Sequence, residues 1–179
     1  MEKRIKNASG YLNSGSLDGP DIESAAVEYG KARSELTLAG SYAKTPEQRQ
    51  RYDKAAESLH GMAKAIINKG LETVREDMGA SELYMQLAGD KGDIYHAKLV
   101  KAPSTFPFTP TFDRDPLMGN ANTVYDGVNA TITRAEKRLD YTRQIAEAEN
   151  NPAASTDIES LGKSVAGLRQ KLEARARGN

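Results

Sequence analysis

The sequence predicts an all-α protein in which two long helical hairpins, an elongated four-helix arrangement, are joined by an irregular loop rich in proline and phenylalanine. Four segments place apolar residues at heptad spacing, which is typical of helices that pack along their length. Three of these segments also begin with residues that favour a helix start. We therefore expect more than half of the chain to be helical, with no sheet of three or more strands in these segments.

The first helix is predicted over residues 20–42, after a flexible polar N-terminal segment at residues 1–18. Pro20 suits the first turn of a helix, and the helix dipole favours the acidic groups of Asp18 and Asp21 at this end. Two heptad rows follow, with Ile22, Tyr29, Leu36 and Ala43 in one and Ala25, Ala32 and Ala39 in the other. The alanine row permits another helix to approach closely but buries little apolar surface.

The second helix is predicted over residues 45–78 and completes helical hairpin 1, residues 19–79. Thr45 offers a hydroxyl N-cap, Pro46 occupies the first helical position, and Gln48 stands where a capping box requires it. Apolar residues then keep helical spacing to the end of the segment: Tyr52, Ala56, Leu59, Met62, Ala63, Ile66, Ile67, Val74 and Met78. The segment is therefore expected to form one long helix.

Residues 80–118 are predicted to be an irregular connecting region. Residues 81–87 can add one or two helical turns, whereas residues 93–101 fit a helix and a strand equally well. The run Ser104 to Phe112 follows and ends in Asp113-Arg114-Asp115. A connecting region of this length inside a compact domain tends to be functional.

All three phenylalanines of the chain lie in that run, among its prolines. Proline lacks an N–H and biases the preceding residue toward extended conformations, so a helix is not expected there. The three rings have the same parity, and an extended strand would present them on one side. The run is either a plug folded onto the helices or a strap that binds another protein surface. Its candidate protein-binding residues are Phe106, Pro107, Phe108, Pro110 and Phe112.

Helical hairpin 2 is predicted over residues 119–179, with helices at residues 121–150 and 156–176. Its first helix has two heptad rows, which are Tyr125, Ile132, Leu139 and Ala146, and Val128, Ala135 and Thr142. Thr156 and Glu159 have capping-box spacing at the expected start of the second helix. The stripe of that helix consists of Ile158, Leu161, Val165, Leu168 and Leu172.

The supply of large apolar residues is small. Leu, Ile, Val and Phe together make 31 of 179 residues, about 17%, which is below the ~20% at which independent folding becomes doubtful. Alanine and tyrosine replace them, which suits long helices that approach closely. Gly61 and Gly70 each weaken a helix by about 1 kcal/mol, so we interpret both as points of close packing. We expect a marginally stable monomer that partners stabilise.

Charge and cysteine content narrow the classes of function. The formal net charge is zero, so there is no global positive field to attract phosphates, and nucleic acid is not an expected partner. The absence of cysteine removes thiolate metal sites and cysteine nucleophiles. No apolar run suits a signal peptide or a membrane span. The protein is expected to be cytoplasmic when synthesised, with incorporation into a virion or secretion without a cleaved signal peptide as further routes.

Residues that suggest catalysis or metal binding are sparse. His60 and His96 have no second histidine or carboxylate at metal-ligand spacing. The acidic pairs suit solvated helix faces better than paired catalytic carboxylates; they are Glu72 and Glu76, Glu136 and Asp140, and Asp113 and Asp115. The basic residues near the C-terminus complement the helix dipole and could also contact phosphates: Arg169, Lys171, Arg175 and Arg177. No cofactor or metal is predicted.

These features predict a non-enzymatic structural subunit whose helix faces and Phe-Pro docking loop contact copies of itself or other subunits. By analogy of architecture, such parts occur in phage virions and secretion filaments. The alternative is a soluble helical adaptor, chaperone or secreted effector that binds a single protein partner. A third hypothesis, an enzyme with a dispersed carboxylate site, has less support.

Overall fold

The computed structural model describes residues 1–14, 20–87 and 124–177. Helices make up 92% of this part of the chain, and no strand occurs in it. The all-α prediction is therefore confirmed. Five helices follow one another: α1 (Glu2–Leu12), α2 (Ile22–Tyr42), α3 (Pro46–Leu87), α4 (Val124–Ala148) and α5 (Pro152–Arg177).

Helix α1 corrects the prediction of a flexible N-terminal segment. Ala8 and Leu12 are buried at 0% and 9% exposure, and the Arg4 guanidinium donates to the carboxylates of Glu35 and Glu28 on α2. The polar character of the segment concealed this packing, because a helix needs only one apolar stripe when its other side faces water.

The starts of α2 and α3 follow the predicted chemistry. Asp21 is the N-cap of α2, and its side chain accepts a 2.8 Å hydrogen bond from the Ser24 amide. At α3 the capping box is confirmed, because the Gln48 amide donates to Thr45 Oγ1 at 3.2 Å and the Thr45 amide donates to Gln48 Oε1 at 3.0 Å. A short connection, residues 43–45, therefore joins α2 to α3 as a helical hairpin.

Helix α3 is longer than predicted and ends at Leu87 rather than at residue 78. Tyr84 and Met85 are buried at 1% and 7% exposure, so the apolar stripe continues beyond Gly79. A helical glycine costs only about 1 kcal/mol, and the packing of the following turn outweighs that cost. The rest of the predicted connecting region, residues 88–118, lies outside the described residues.

The turn between α4 and α5 is compact and places the start of α5 earlier than predicted. Asn150 has a positive φ of 49°, and the amides of Asn150 and Asn151 donate to the carbonyls of Glu147 and Ala146, which is the Schellman pattern. The Asn151 side chain then accepts from the Ala154 amide at 3.1 Å and caps α5. The predicted Thr156 capping box is wrong, since Thr156 lies inside α5 and donates to the Pro152 carbonyl.

The described residues belong to two compact units, each of which takes segments from both hairpins. Of the described residues, the first contains 1–14, 20–72 and 138–158. The predicted heptad residues form much of its core: Ile22, Ala25, Tyr29, Ala32, Leu36, Leu59, Met62, Ala63, Ile66, Ile67, Leu139, Ala146 and Ile158. Ala39 is exposed near the end of α2, and Ala43, Tyr52 and Ala56 are only partly buried.

Gly70 is a point of close packing within this unit, as predicted, and Gly61 is not. A Cβ atom at Gly70 would overlap the Thr142 hydroxyl oxygen, whereas a Cβ atom at Gly61 would meet nothing within 4 Å. Thr142 is fully buried and donates to the Arg138 carbonyl at 2.7 Å. Helices α3 and α4 are therefore in close contact at Gly70.

The second unit contains the described residues from 73 to 137 and from 159 to 177, and polar contacts support its apolar core. Asp77 is fully buried, and Arg134 donates to its Oδ1 through Nε at 3.1 Å and through a terminal nitrogen at 2.9 Å. Arg169 joins α5 to α4 through a two-point ion pair with Glu136, at 2.7 and 2.8 Å. Paired charges of this kind fix the register of packed helices.

Candidate protein-interaction surface

Helix α2 has apolar residues on two opposite sides. Its buried side contains the heptad residues described above, but Val27, Leu38 and Tyr42 are 47%, 63% and 68% exposed. At about 3.6 residues per turn, these three fall on one side of α2, opposite the buried rows. We call them the α2 outer face. Leu38 and Tyr42 lie about one turn apart, and neighbouring exposed apolar side chains of this kind are a candidate binding surface.

A groove adjoins the α2 outer face at the α2–α3 turn, and we call it the hairpin groove. Its volume is about 340 Å³, and it is lined by residues of both helices, among them Leu36, Ala39, Tyr42, Ala43, Tyr52 and Ala55. Met1 completes the lining together with the polar side chains of Glu35, Gln48 and Arg51. An apolar floor with a few polar groups at its edge is the usual composition of a binding groove.

Gly40 determines how Tyr52 lies in this groove. A Cβ atom at residue 40 would stand 2.9 Å from Cε2 of the Tyr52 ring and 3.3 Å from its Cζ. The ring therefore rests directly on the backbone of α2, a position that only glycine allows. Tyr42 and Tyr52 thus supply two aromatic side chains from the two helices of the hairpin.

A partly buried carboxylate holds α2 and α3 against the end of α4 in the same unit. Glu149 accepts a 2.5 Å hydrogen bond from the Tyr29 hydroxyl, and its other oxygen lies 2.7 Å from Nδ1 of His60. Arg33 adds a further link by donating to the Ala148 carbonyl at 3.0 Å. These contacts fix the rotation of α2 about its axis and so determine which residues it exposes.

The surroundings shift two pKa values in this cluster. Burial, and then the hydrogen bond to Glu149, raise the pKa of the Tyr29 hydroxyl, which keeps it a donor at physiological pH. Burial acts to raise the pKa of Glu149, but the hydrogen bonds from Tyr29 and His60 outweigh it, and the pKa lies below its usual value. Glu149 is therefore a carboxylate that the fold stabilises in its charged form.

Acidification is expected to destabilise the fold through Glu149. A carboxyl whose pKa is lower in the folded state contributes stability above its unfolded pKa, and that contribution disappears as the pH falls through the folded pKa. The melting temperature, followed by circular dichroism, should fall between about pH 5 and pH 3, and Glu149→Gln should show a smaller fall.

Glu57→Gln is the matched control, because Glu57 is an exposed carboxylate on α3. It should leave the pH dependence of the wild type unchanged. If Glu149→Gln and the wild type lose the same number of degrees over this range, the hydrogen bonds to Glu149 make no pH-dependent contribution to stability.

Some of the predicted site residues lie outside the described residues, and the others contact neighbouring side chains. The Phe-Pro run, His96 and the Asp113–Asp115 cluster lie outside the described residues. His60 is exposed and contacts Glu149. Members of the acidic pairs that the structure describes form ion pairs with neighbours, namely Glu72 with Lys69, Asp140 with Arg143 and Glu136 with Arg169. In the described ranges, no group of three or more histidine, cysteine, aspartate or glutamate side chains is placed to hold a metal ion.

The basic residues near the C-terminus make contacts within the second unit. Besides its ion pair, Arg169 donates to the side-chain oxygens of Asn129 and Thr133. Arg175 donates to the Met85 carbonyl at the end of α3, and Arg177 lies 3.3 Å from Glu173. Contacts between helices therefore account for Arg169 and Arg175, whereas Arg177 forms an exposed ion pair within α5.

Sequence reasoning missed the α2 outer face. The signal was present, because Val27, Leu38 and Tyr42 lie outside the two heptad rows yet share one helical face. The pattern is weak in the sequence, because only two of the three residues are within about a turn of each other. Apolar residues on both sides of one helix indicate either a fully buried helix or one with a second partner.

Comparison with protein-family models, with curated proteins and with solved structures gave no match. None of the helices in the described part of the chain combines the length and the apolar content that a bilayer span requires.

Proposed function

We propose that this protein is a non-enzymatic assembly subunit that contacts other protein chains through the α2 outer face and the Phe-Pro run. The observation that supports the proposal most strongly is the exposure of Leu38 and Tyr42, at 63% and 68%. Burying a large apolar side chain contributes roughly 1.5–3 kcal/mol. Covering these residues with a second protein surface would therefore stabilise the complex considerably.

The small number of large apolar residues in the chain also supports the proposal that it is an assembly subunit. A chain with few such residues gains little by leaving two of them in water unless they bind something. Subunits of this kind assemble into large complexes, among which virions and secretion filaments are the examples we favour. Copies of this chain or other subunits would be the partners.

The second candidate function is a soluble helical adaptor, chaperone or secreted effector with one protein partner. The hairpin groove favours it to some extent, because a groove of this size accepts a short peptide as readily as it accepts a neighbouring subunit. Self-association separates the two candidates, since an adaptor would be a monomer in the absence of its partner.

The proposal predicts that a charge on the α2 outer face abolishes association. Leu38→Asp combined with Tyr42→Asp should weaken self-association at least about 30-fold, because buried anchors contribute ≥ 2 kcal/mol each. Light scattering after size exclusion measures the association, and circular dichroism checks that the helices remain.

Leu83→Asp is the matched control, since Leu83 is an exposed leucine on α3, at 44% exposure. It should associate like the wild type. A double variant Phe106→Ser and Phe108→Ser should also lose association with its helix content retained. Unchanged association in both double variants would rule out this interface, and loss of helix content in the phenylalanine variant would assign the rings to the protein's own core.

A further inference from the structure

We propose that the hairpin groove binds the Phe-Pro run, residues 104–113, of a second copy of this chain. This inference rests on the proposed function and identifies the partner of the surface described above. Proline-rich segments bind grooves lined by aromatic side chains, because rings of tyrosine pack flat against proline rings and the segment loses little entropy on binding.

The chemistry of the run matches the groove. Pro107-Phe108-Thr109-Pro110 has two prolines three residues apart. A polyproline II segment has three residues per turn, so Pro107, Pro110 and Asp113 would share one edge of it. The groove offers Tyr42 and Tyr52 from its two helices, over an apolar floor formed by residues such as Leu36 and Ala39.

The charges match as well. Arg51 belongs to the lining of the groove and is exposed. Glu35, the acidic residue of the lining, is already paired with Arg4 at 2.5 Å. An aspartate that follows the two prolines on the same edge would therefore meet an arginine. Asp113 stands at that position of the sequence.

Each copy contains both the groove and the run, and these are different surfaces. Such an interface is heterologous, so repetition produces a closed ring or an open filament rather than a simple dimer. Docking between copies would therefore give the assembly that the proposed function requires.

A fluorescent peptide of residues 103–116 tests the inference directly. The receptor is the full-length chain with Phe106→Ser and Phe108→Ser, so that its own run does not compete. Fluorescence anisotropy should show saturable binding, and a peptide with both phenylalanines and both prolines replaced by serine should not bind. Tyr42→Ser in the receptor should weaken binding at least about 30-fold.

Three further receptor variants keep the test independent of folding defects. Gly40→Ala displaces the Tyr52 ring and should weaken binding, whereas Gly30→Ala, in the same helix with nothing within 4 Å of its new Cβ atom, should not. Arg51→Gln should weaken binding up to about fivefold and reduce its salt dependence, and the peptide with Asp113→Asn should show no additional loss in that receptor.

Three outcomes would overturn the inference. The first is a peptide that binds no receptor, and the second is a peptide that binds the Tyr42→Ser and Gly40→Ala receptors as tightly as the parent. The third is a wild-type chain that stays monomeric and does not bind the peptide. In that case its own Phe-Pro run occupies its own groove. In the first two cases a wild-type chain that still self-associates leaves the proposed function intact, whereas a monomeric chain also excludes an assembly built from copies of this chain alone.

Discussion

Replacing Arg134 by methionine is expected to lower the free energy of unfolding by about 3–5 kcal/mol, the usual cost of removing one partner of a buried ion pair. Asp77 has no exposed surface in the structure, and Arg134 donates two hydrogen bonds to it. Methionine keeps the apolar stem of the arginine and removes only the guanidinium. Urea unfolding followed by circular dichroism measures the loss.

Arg143→Met is the control for this prediction. Arg143 and Asp140 also form an ion pair, at 2.8 Å, but their side chains are 46% and 64% exposed. Pairs in this environment contribute about 0–1 kcal/mol, so the control should unfold almost like the wild type. Equal losses in the two variants would mean that Asp77 is reached by water in solution.

Adding one methyl group to α3 is expected to change the stability of the protein in opposite directions at two glycines. Gly70→Ala should destabilise the protein by about 1–3 kcal/mol, because its Cβ atom overlaps the Thr142 side chain in a packed interface. Gly61→Ala should stabilise it by about 0.5–1 kcal/mol, because alanine is the better helix former and residue 61 has open space. Thermal unfolding of the two variants shows the difference in sign.

A double variant identifies the cause at Gly70. Thr142→Ala removes the hydroxyl that the new Cβ atom would meet, so adding Gly70→Ala to that background should cost little. If Gly70→Ala costs the same in both backgrounds, the overlap with Thr142 does not explain the loss. Stabilisation by Gly70→Ala alone would show that α3 and α4 are not in close contact at this point.

Local sequence signals were enough to predict the long helices. The capping box of Thr45 and Gln48 forms as predicted, since its two hydrogen bonds depend only on residues three positions apart. Most heptad residues of the four predicted helices are buried, because the periodicity of a stripe reports directly which side of a helix another helix covers.

The errors arose where tertiary contacts decide the outcome. Met1, Ile5, Ala8 and Leu12 have helical spacing, but such a short stripe indicates a helix only when a partner such as α2 is present. Gly61 and Gly70 look alike in the sequence, and only the position of Thr142 distinguishes them. The exposure of Leu38 likewise depends on which side of α2 its neighbours leave uncovered.

The central claim is that this chain associates with copies of itself, and sedimentation velocity over a range from low to high micromolar concentration tests it most directly. The account predicts a weight-average sedimentation coefficient that rises with concentration, toward a ring or a filament, together with a melting temperature that rises in parallel because association stabilises the folded state. A single monomer boundary at every concentration, with a constant melting temperature, would contradict the account.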